Sequence, residues 1–228
     1  MSTYIDETSF LKDTDNVTPH VVITNEHHHY TPKNIRDRIA KIIVHILARV
    51  ADFLFKSRYG NRAIVLETVA AVPGMVAGCL QHLKALRTMH DDRGWIKALL
   101  DEAENERMHL LIYSHIAKPT VFERVLIVLV QGIFFNFFFL LYLISPKTAH
   151  RTVGYLEEEA IHSYEIYLRL IDDGKIENVE APEIAKMYWL LDSDARLRDV
   201  VKATIKDEMI HRDVNHTFAS DNIGTSFF

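Results

Sequence analysis

Asn105-Glu106-Arg107-Met108-His109-Leu110 sets a carboxylate and an imidazole three residues apart in strongly helical company. Residues i and i+3 share a helix face, so Glu106 and His109 can reach one point. A single Glu-x-x-His pair is most often an ordinary solvated pair. This chain holds a second copy, Glu208-Met209-Ile210-His211, near its other end. Each copy is preceded by a helical segment with one Glu in apolar company, Glu67 before the first and Glu157 before the second.

The apolar period tells which way these side chains point. From Trp95 to Ala117 it aligns Leu99, Ala103, Glu106, His109, Leu110 and Tyr113 along one side, which turns Glu106 and His109 into the core. From Ala195 to about Phe218 it aligns Val201, Thr204, Ile205, Glu208, His211 and Asn215. In the triplet Glu157-Glu158-Glu159, Glu157 shares its side with Val153, Ala160, Ile161, Tyr164 and Leu168. Glu158 goes with His162, Glu165, Arg169 and Asp172, which reads as a solvated face. Glu67 is followed along its face by Ala70, Ala71, Gly74 and Gly78, small residues that admit a neighbouring helix. No strand pattern and no solenoid repeat appears.

One Glu from each of two helices plus Glu-x-x-His from each of two more is the inward ligand set of a di-iron or di-manganese carboxylate bundle. Two cations a few ångströms apart repel unless bridging carboxylates neutralise them, and four carboxylates balance two ferrous ions. The rest of the composition agrees with a site of this kind. A formal net charge of −5 excludes general nucleic-acid binding, which needs a basic footprint. The lone Cys79 excludes an intrachain disulfide and any cysteine-rich metal site, so a metal must be held by His and carboxylate. Cys79 itself, among Val76, Ala77, Gly78 and Leu80, reads as a small core residue.

At 228 residues the chain is long enough for one domain with a sizeable core. Residues 1–31, acidic and without apolar period, read as a flexible arm that lacks the marks of a targeting signal. Its His27-His28-His29 triplet cannot share one helical face. Residues 34–59 alternate Ile35, Ile39, Ile42, Ile46 and Val50 with Arg36, Arg38, Lys41 and Arg49, an amphipathic helix that reads equally as a plain bundle helix or as one whose basic face suits an anionic membrane surface. The run Val125–Ile144 is twenty residues without a charge, long enough to span a bilayer. A single crossing there would place Glu67 and Glu106 on one side of the membrane and Glu157 and Glu208 on the other. If the four carboxylates meet, this helix lies in one leaflet and the protein is monotopic. The expected architecture is therefore all-α: a four-helix, ferritin-like carboxylate bundle over 32–219, with membrane-surface helices at about 34–59 and 120–144 and a tail at 220–228.

At this point the chain resembles the alternative oxidases, cyanide-insensitive terminal ubiquinol oxidases. The resemblance covers about Arg36 to Ala219. It rests on Leu66-Glu67-Thr68, Asn105 to Leu110, Leu156-Glu157-Glu158-Glu159-Ala160 and Asp207-Glu208-Met209-Ile210-His211-Arg212. It implies two non-haem iron ions at Glu67, Glu106, His109, Glu157, Glu208 and His211, with Glu106 and Glu208 bridging. Tyr164 matches the family's redox tyrosine, and Asn105, Asp207 and Trp189 match its outer hydrogen-bond network. Arg62, Leu66, Ala160 and Ser163 fall where relatives line the quinol pocket. One departure is Ile205-Lys206-Asp207-Glu208, where the family usually begins Arg-Ala-Asp-Glu.

The resemblance further implies oxidation of ubiquinol with reduction of dioxygen to water, and the lack of an ionisable pathway across a bilayer predicts that no protons are pumped. It implies contact with the lipid of one leaflet, a homodimer, and a place on the matrix side of the inner membrane of a mitochondrion or a mitochondrion-derived organelle. The rivals are a ferritin-like iron-storage or peroxide-handling protein, which has no use for the uncharged run, and a membrane-bound structural protein whose Glu and His residues merely pair.

Overall fold

The computed structural model describes residues 21, 23–25, 27–55, 59–117 and 119–221, without the side chains of 52–55, 59–62, 65, 122 and 123. Most of the acidic arm, the tail after Asp221 and the side chain of Arg62 lie outside the described residues. The described residues form seven helices and no strand: α1 Ile35–Phe55, α2 Tyr59–Thr88, α3 Trp95–Ala117, α4 Val121–Ile144, α5 Pro146–Asp172, α6 Glu183–Trp189 and α7 Leu197–Ser220.

Local chemistry sets the breaks between them. Asp92 accepts the amide of Ile96 at 2.8 Å and starts α3. Ser145 caps α5 through Thr148, with Pro146 at the first position, where its missing N–H costs nothing. After α5, Gly174 at φ +69° supplies the left-handed turn that closes the helix.

Two helix pairs, α2 with α3 and α5 with α7, make up the bundle, and the remaining elements pack around it. The small residues of α2 bring α3 close. A Cβ on Gly74 would stand 2.4 Å from the Leu99 carbonyl, and one on Gly78 would stand 3.1 Å from Leu100. With 74 and 78 turned to α3, position 79 on the next strip of the helix turns outward beside Met75 and Leu83. Cys79 is therefore exposed, not a core residue as its apolar neighbours suggest.

The outer helices present apolar surface away from the bundle. On α1 the inner strip is Asp37, Ala40 and Val44, packed on α5 around Arg151 and Tyr155, while Ile35, Ile39, Ile42, Ile46 and Val50 are exposed. On α4 Phe134, Phe138 and Tyr142 join the core with Val72, Val76 and Val153, whereas Val125, Val128, Leu129, Ile133 and Leu140 are exposed. Residues 66–88 and 124–144 are both long and apolar enough to cross a membrane by length and composition.

The last part of the segment read as an arm is fastened to the bundle. Thr24 donates through its amide to Asp213 at 2.6 Å, Tyr30 donates through its amide to Glu158 at 2.8 Å, and the Tyr30 ring stacks on His216.

Candidate metal centre

Four helices converge at mid-bundle. α2 supplies Glu67, α3 supplies Glu106 and His109, α5 supplies Glu157, and α7 supplies Glu208 and His211; each is at most 6 % exposed. They fall into two groups, each with one ligand atom per residue and all such atoms within 4.8 Å: Glu67, Glu106, His109 and Glu208, and Glu106, Glu157, Glu208 and His211. The groups share Glu106 and Glu208, the two residues expected to bridge. Each group has three carboxylates and one imidazole, a hard oxygen-rich donor set with one nitrogen that suits a ferrous or manganous ion.

Both imidazoles turn Nδ1 inward. His109 Nδ1 lies 3.3 Å from Glu67 Oε2 and 3.4 Å from Glu208 Oε1, and His211 Nδ1 lies 2.7 Å from Glu106 Oε1 and 3.3 Å from Glu208 Oε2. Despite that proximity neither oxygen of Glu106 accepts an aligned hydrogen bond from any described residue. Four buried carboxylates with two imidazoles, and a carboxylate left unsatisfied at the centre, make an arrangement that is costly unless a cation completes it. The residues present therefore fit a metal pair.

The electrostatics express the same imbalance. Burial first, then the charges of Glu208 and Glu67, push the Glu106 carboxyl well above its ordinary range. Burial and the Glu208 charge do the same to Glu157. Glu208 is held low although burial opposes it, because His109 and His211 both donate to it. His211, which burial alone would lower, is raised to about 9 by the Glu208 carboxylate and its neighbours.

Around this set lies a second layer. Asp207 Oδ2 accepts from Asn105 Nδ2 at 2.8 Å and from Trp189 Nε1 at 2.8 Å, and lies 3.1 Å from His109 Nε2. That contact orients the His109 ring and keeps Nδ1 directed at the centre. Sequence reasoning missed Tyr188, whose hydroxyl accepts from Asn105 at 2.7 Å; its place in a short helix far along the chain from Asn105 gave no sign of that partner. The Tyr164 hydroxyl donates to Glu67 Oε1 across the bundle, although on the sequence it shares a face with Glu157. Tyr164 also stacks on Tyr113 at 5.5 Å.

Glu158 departs from its expected solvated face. It is buried under His216, which lies 2.9 Å from Oε1, and under the Tyr30 amide and His29. Helical period alone could not foresee that a segment more than a hundred residues upstream covers this face. Of the expected quinol-side residues, Leu66 and Ala160 are half-buried and Ser163 is buried. The described cavity of about 410 Å³ lies elsewhere, between α3 and α7.

A family profile described as Alternative oxidase matches residues 18–220. The chain is similar to Ubiquinol oxidase 2, mitochondrial, of Arabidopsis thaliana, with 61 % identity over 85 % of this chain and 54 % of the relative. It is similar to Ubiquinol oxidase, mitochondrial, of Mangifera indica, with 58 % identity over 85 % of this chain and 60 % of the relative. It is also similar to Ubiquinol oxidase 2, mitochondrial, of Nicotiana tabacum, with 56 % identity over 85 % of this chain and 65 % of the relative. The chain thus spans between about half and two thirds of the length of these curated relatives, and that span contains all four carboxylate-bearing helices. A match over nearly the whole chain, on a bundle that brings both Glu-x-x-His pairs to one point, means that the chain belongs to the alternative oxidase family.

Proposed function

We propose that this chain is a monotopic ubiquinol oxidase. It binds two non-haem iron ions through Glu67, Glu106, His109, Glu157, Glu208 and His211, oxidises ubiquinol and reduces dioxygen to water without moving protons across the membrane. The observation that carries this reading is the pair of ligand groups sharing Glu106 and Glu208, with the central carboxylate unsatisfied by protein. When bound, the iron pair would supply the redox cycling between quinol and dioxygen and the dioxygen-binding capacity that amino-acid side chains lack.

The chain's own residues do the rest. Glu106 and Glu208 hold the two positions together from opposite pairs of the bundle. Asp207, fixed by Asn105 and Trp189, orients His109. Burial and the neighbouring Glu67 charge keep the Tyr164 phenol protonated far above neutral pH. Loss of an electron from Tyr164 therefore requires loss of its proton, and Glu67 Oε1 is positioned to take it. Leu66, Ala160, Ser163 and Arg62 are assigned to the quinol side. Replacing Tyr164 with Phe is expected to leave iron in place and reduce quinol turnover to background; undiminished turnover removes Tyr164 from the electron path.

The membrane reading rests on where charge lies. α3 and α5 are joined by α4, yet Glu106 and Glu157 belong to one cluster. If α4 crossed a bilayer, α3 would run back through it with Asp101, Glu104 and Arg107 exposed to lipid. Lying flat, α4 and α1 together offer their exposed isoleucines, valines and leucines to one leaflet, and the basic residues of α1 meet its headgroups. A lipid-dissolved quinol then needs no aqueous passage. The relatives are named mitochondrial; an inner-membrane, matrix-facing site and a homodimer complete the proposal.

The test is oxygen uptake by membranes carrying the chain, supplied with ubiquinol, with and without cyanide. Cyanide-insensitive uptake together with about two irons per chain is expected. Iron without uptake returns the chain to a storage or peroxide-handling role, and no iron leaves only a structural one.

A further inference from the structure

Five of the six proposed ligands are at most 2 % exposed; His211, at 6 %, is the least closed off. It is also the one of the six that lines the cavity of about 410 Å³ between α3 and α7. These two helices belong to different pairs of the bundle and pack loosely against each other, which leaves the space. At about 30 Å³ per water, a divalent cation carrying about six waters takes roughly 200 Å³, so a hydrated ion fits. The wall carries Asp101, Asn105 and Asp207, with Lys97 tied to Asp101 in an ion pair. Ile23 of the fastened upstream segment, half exposed, stands at the outer side.

The two imidazoles of the centre are not held alike. His109 is fixed at both nitrogens: Nδ1 faces Glu67 and Glu208, and Nε2 lies 3.1 Å from Asp207, itself anchored by Asn105 and Trp189. His211 is held at Nδ1 alone, 2.7 Å from Glu106 Oε1 and 3.3 Å from Glu208 Oε2. Its Nε2 edge looks into the cavity, where no described residue bonds it. Rotating the His211 ring therefore breaks contacts on one side only and moves it into space already open. Rotating His109 breaks an anchored network as well. A buried centre needs an entry path, and the ligand free to yield marks it.

We infer that the α3–α7 cavity is the loading route for the metal pair, with His211 as the ligand that swings aside to admit a hydrated ferrous ion. The inference rests on the proposed metal centre. Asp101 and Asp207 outnumber Lys97 on the wall and draw a divalent cation inward. His211 turns into the cavity, Glu106 and Glu208 replace the waters of the incoming ion, and the ring closes behind it. The group with Glu67 and His109 lies beyond these shared carboxylates, so its ion passes first through the position beside His211. On stripping, the ion beside His211 leaves first.

The test strips the full chain of iron with a chelator, adds ferrous iron and follows iron per chain against time in wild type, Asp101→Lys, Glu104→Lys and Ile23→Trp. Asp101→Lys reverses a charge on the cavity wall. It is expected to slow loading about 10-fold and still reach about two irons per chain. Glu104→Lys makes the same change of charge at an exposed position of α3 outside the cavity, and wild-type loading is expected. Ile23→Trp narrows the outer side without touching a ligand, and both loading and release to a chelator are expected to slow. Wild-type release is expected in two steps, one iron per chain at a time. Once loaded, all three variants are expected to take up oxygen at the wild-type rate. Wild-type loading in both Asp101→Lys and Ile23→Trp overturns the route, as does equal slowing in Asp101→Lys and Glu104→Lys. Simultaneous release of both irons overturns the ordered path past His211. A wild-type chain that takes up no iron is a separate result, which strikes the parent reading.

Discussion

Two buried charged clusters lie side by side in this bundle, and they solve the same problem differently. At the centre, Glu67, Glu106, Glu157 and Glu208 face two imidazoles, and Glu106 has no hydrogen-bond donor. Toward the C-terminal half of α7, Arg151 donates to Asp37 at 2.9 Å and to Ser220 at 2.8 Å, and Arg212 donates to Asp213 at 2.9 Å. There Glu158 accepts from the Tyr30 amide and lies 2.9 Å from His216. The second cluster is balanced, with two guanidiniums opposite three carboxylates that also receive amide, imidazole or hydroxyl donors. The first has a surplus of negative charge and no donors to spare. Burial alone therefore does not mark a functional cluster. What marks it is a charge deficit that protein groups do not make up.

The sharpest way to break this contrast is Glu106→Ala. It is expected to take iron from about two per chain to none and uptake to background, measured by metal analysis of the purified protein; retained iron would mean that Glu106 is not shared. In the balanced cluster, Arg151→Met strands the Asp37 carboxylate. It is expected to cost about 3–5 kcal/mol in denaturant unfolding while leaving iron per folded chain unchanged. A change in iron content there would erase the distinction between the clusters.

A neutral buried imidazole outside both clusters, His150, whose Nδ1 donates to Asn215 Oδ1 at 2.9 Å, gives a pH test. Burial lowers the His150 imidazole to about 4 from an ordinary 6.5, the Asn215 acceptor opposing only in part. The unfolded chain takes up this proton below 6.5, and the folded chain does so only near 4. Stability is therefore full above 6.5 and falls as pH drops toward 4, by on the order of 3 kcal/mol. His150→Gln is expected to flatten that part of the stability profile. The smallest effect expected is that of Asp207→Asn, which weakens the orientation of His109. About a 10–100-fold loss of iron affinity, read by competition with a chelator, is expected, with the fold intact.

Much of this was legible because helical period is a local property. The inward Glu of the Glu157 triplet, the two Glu-x-x-His faces and the small-residue approach of α2 to α3 all follow from spacing within one helix. The misreadings share a cause. Cys79 sits among apolar residues but on a strip that no helix covers. Glu158 sits on a polar strip that His29, Tyr30 and His216 cover from elsewhere in the chain. Tyr164, whose strip the period gave correctly, finds its hydrogen-bond partner Glu67 on another helix, a relation that spacing within α5 does not address.

The sequence by itself determined the candidate Glu and His residues, their pairing into two echoed halves and the conflict between a spanning α4 and a single site, because residue type and period suffice for these. Only the tertiary structure decided that neither oxygen of Glu106 finds a protein donor, that Glu158 is covered by residues from elsewhere in the chain, and that a second buried charged cluster is satisfied by protein groups alone. Each of these is a relation between atoms far apart in the chain. Such relations depend on how the helices are rotated and spaced against one another, which no periodicity within a single helix specifies.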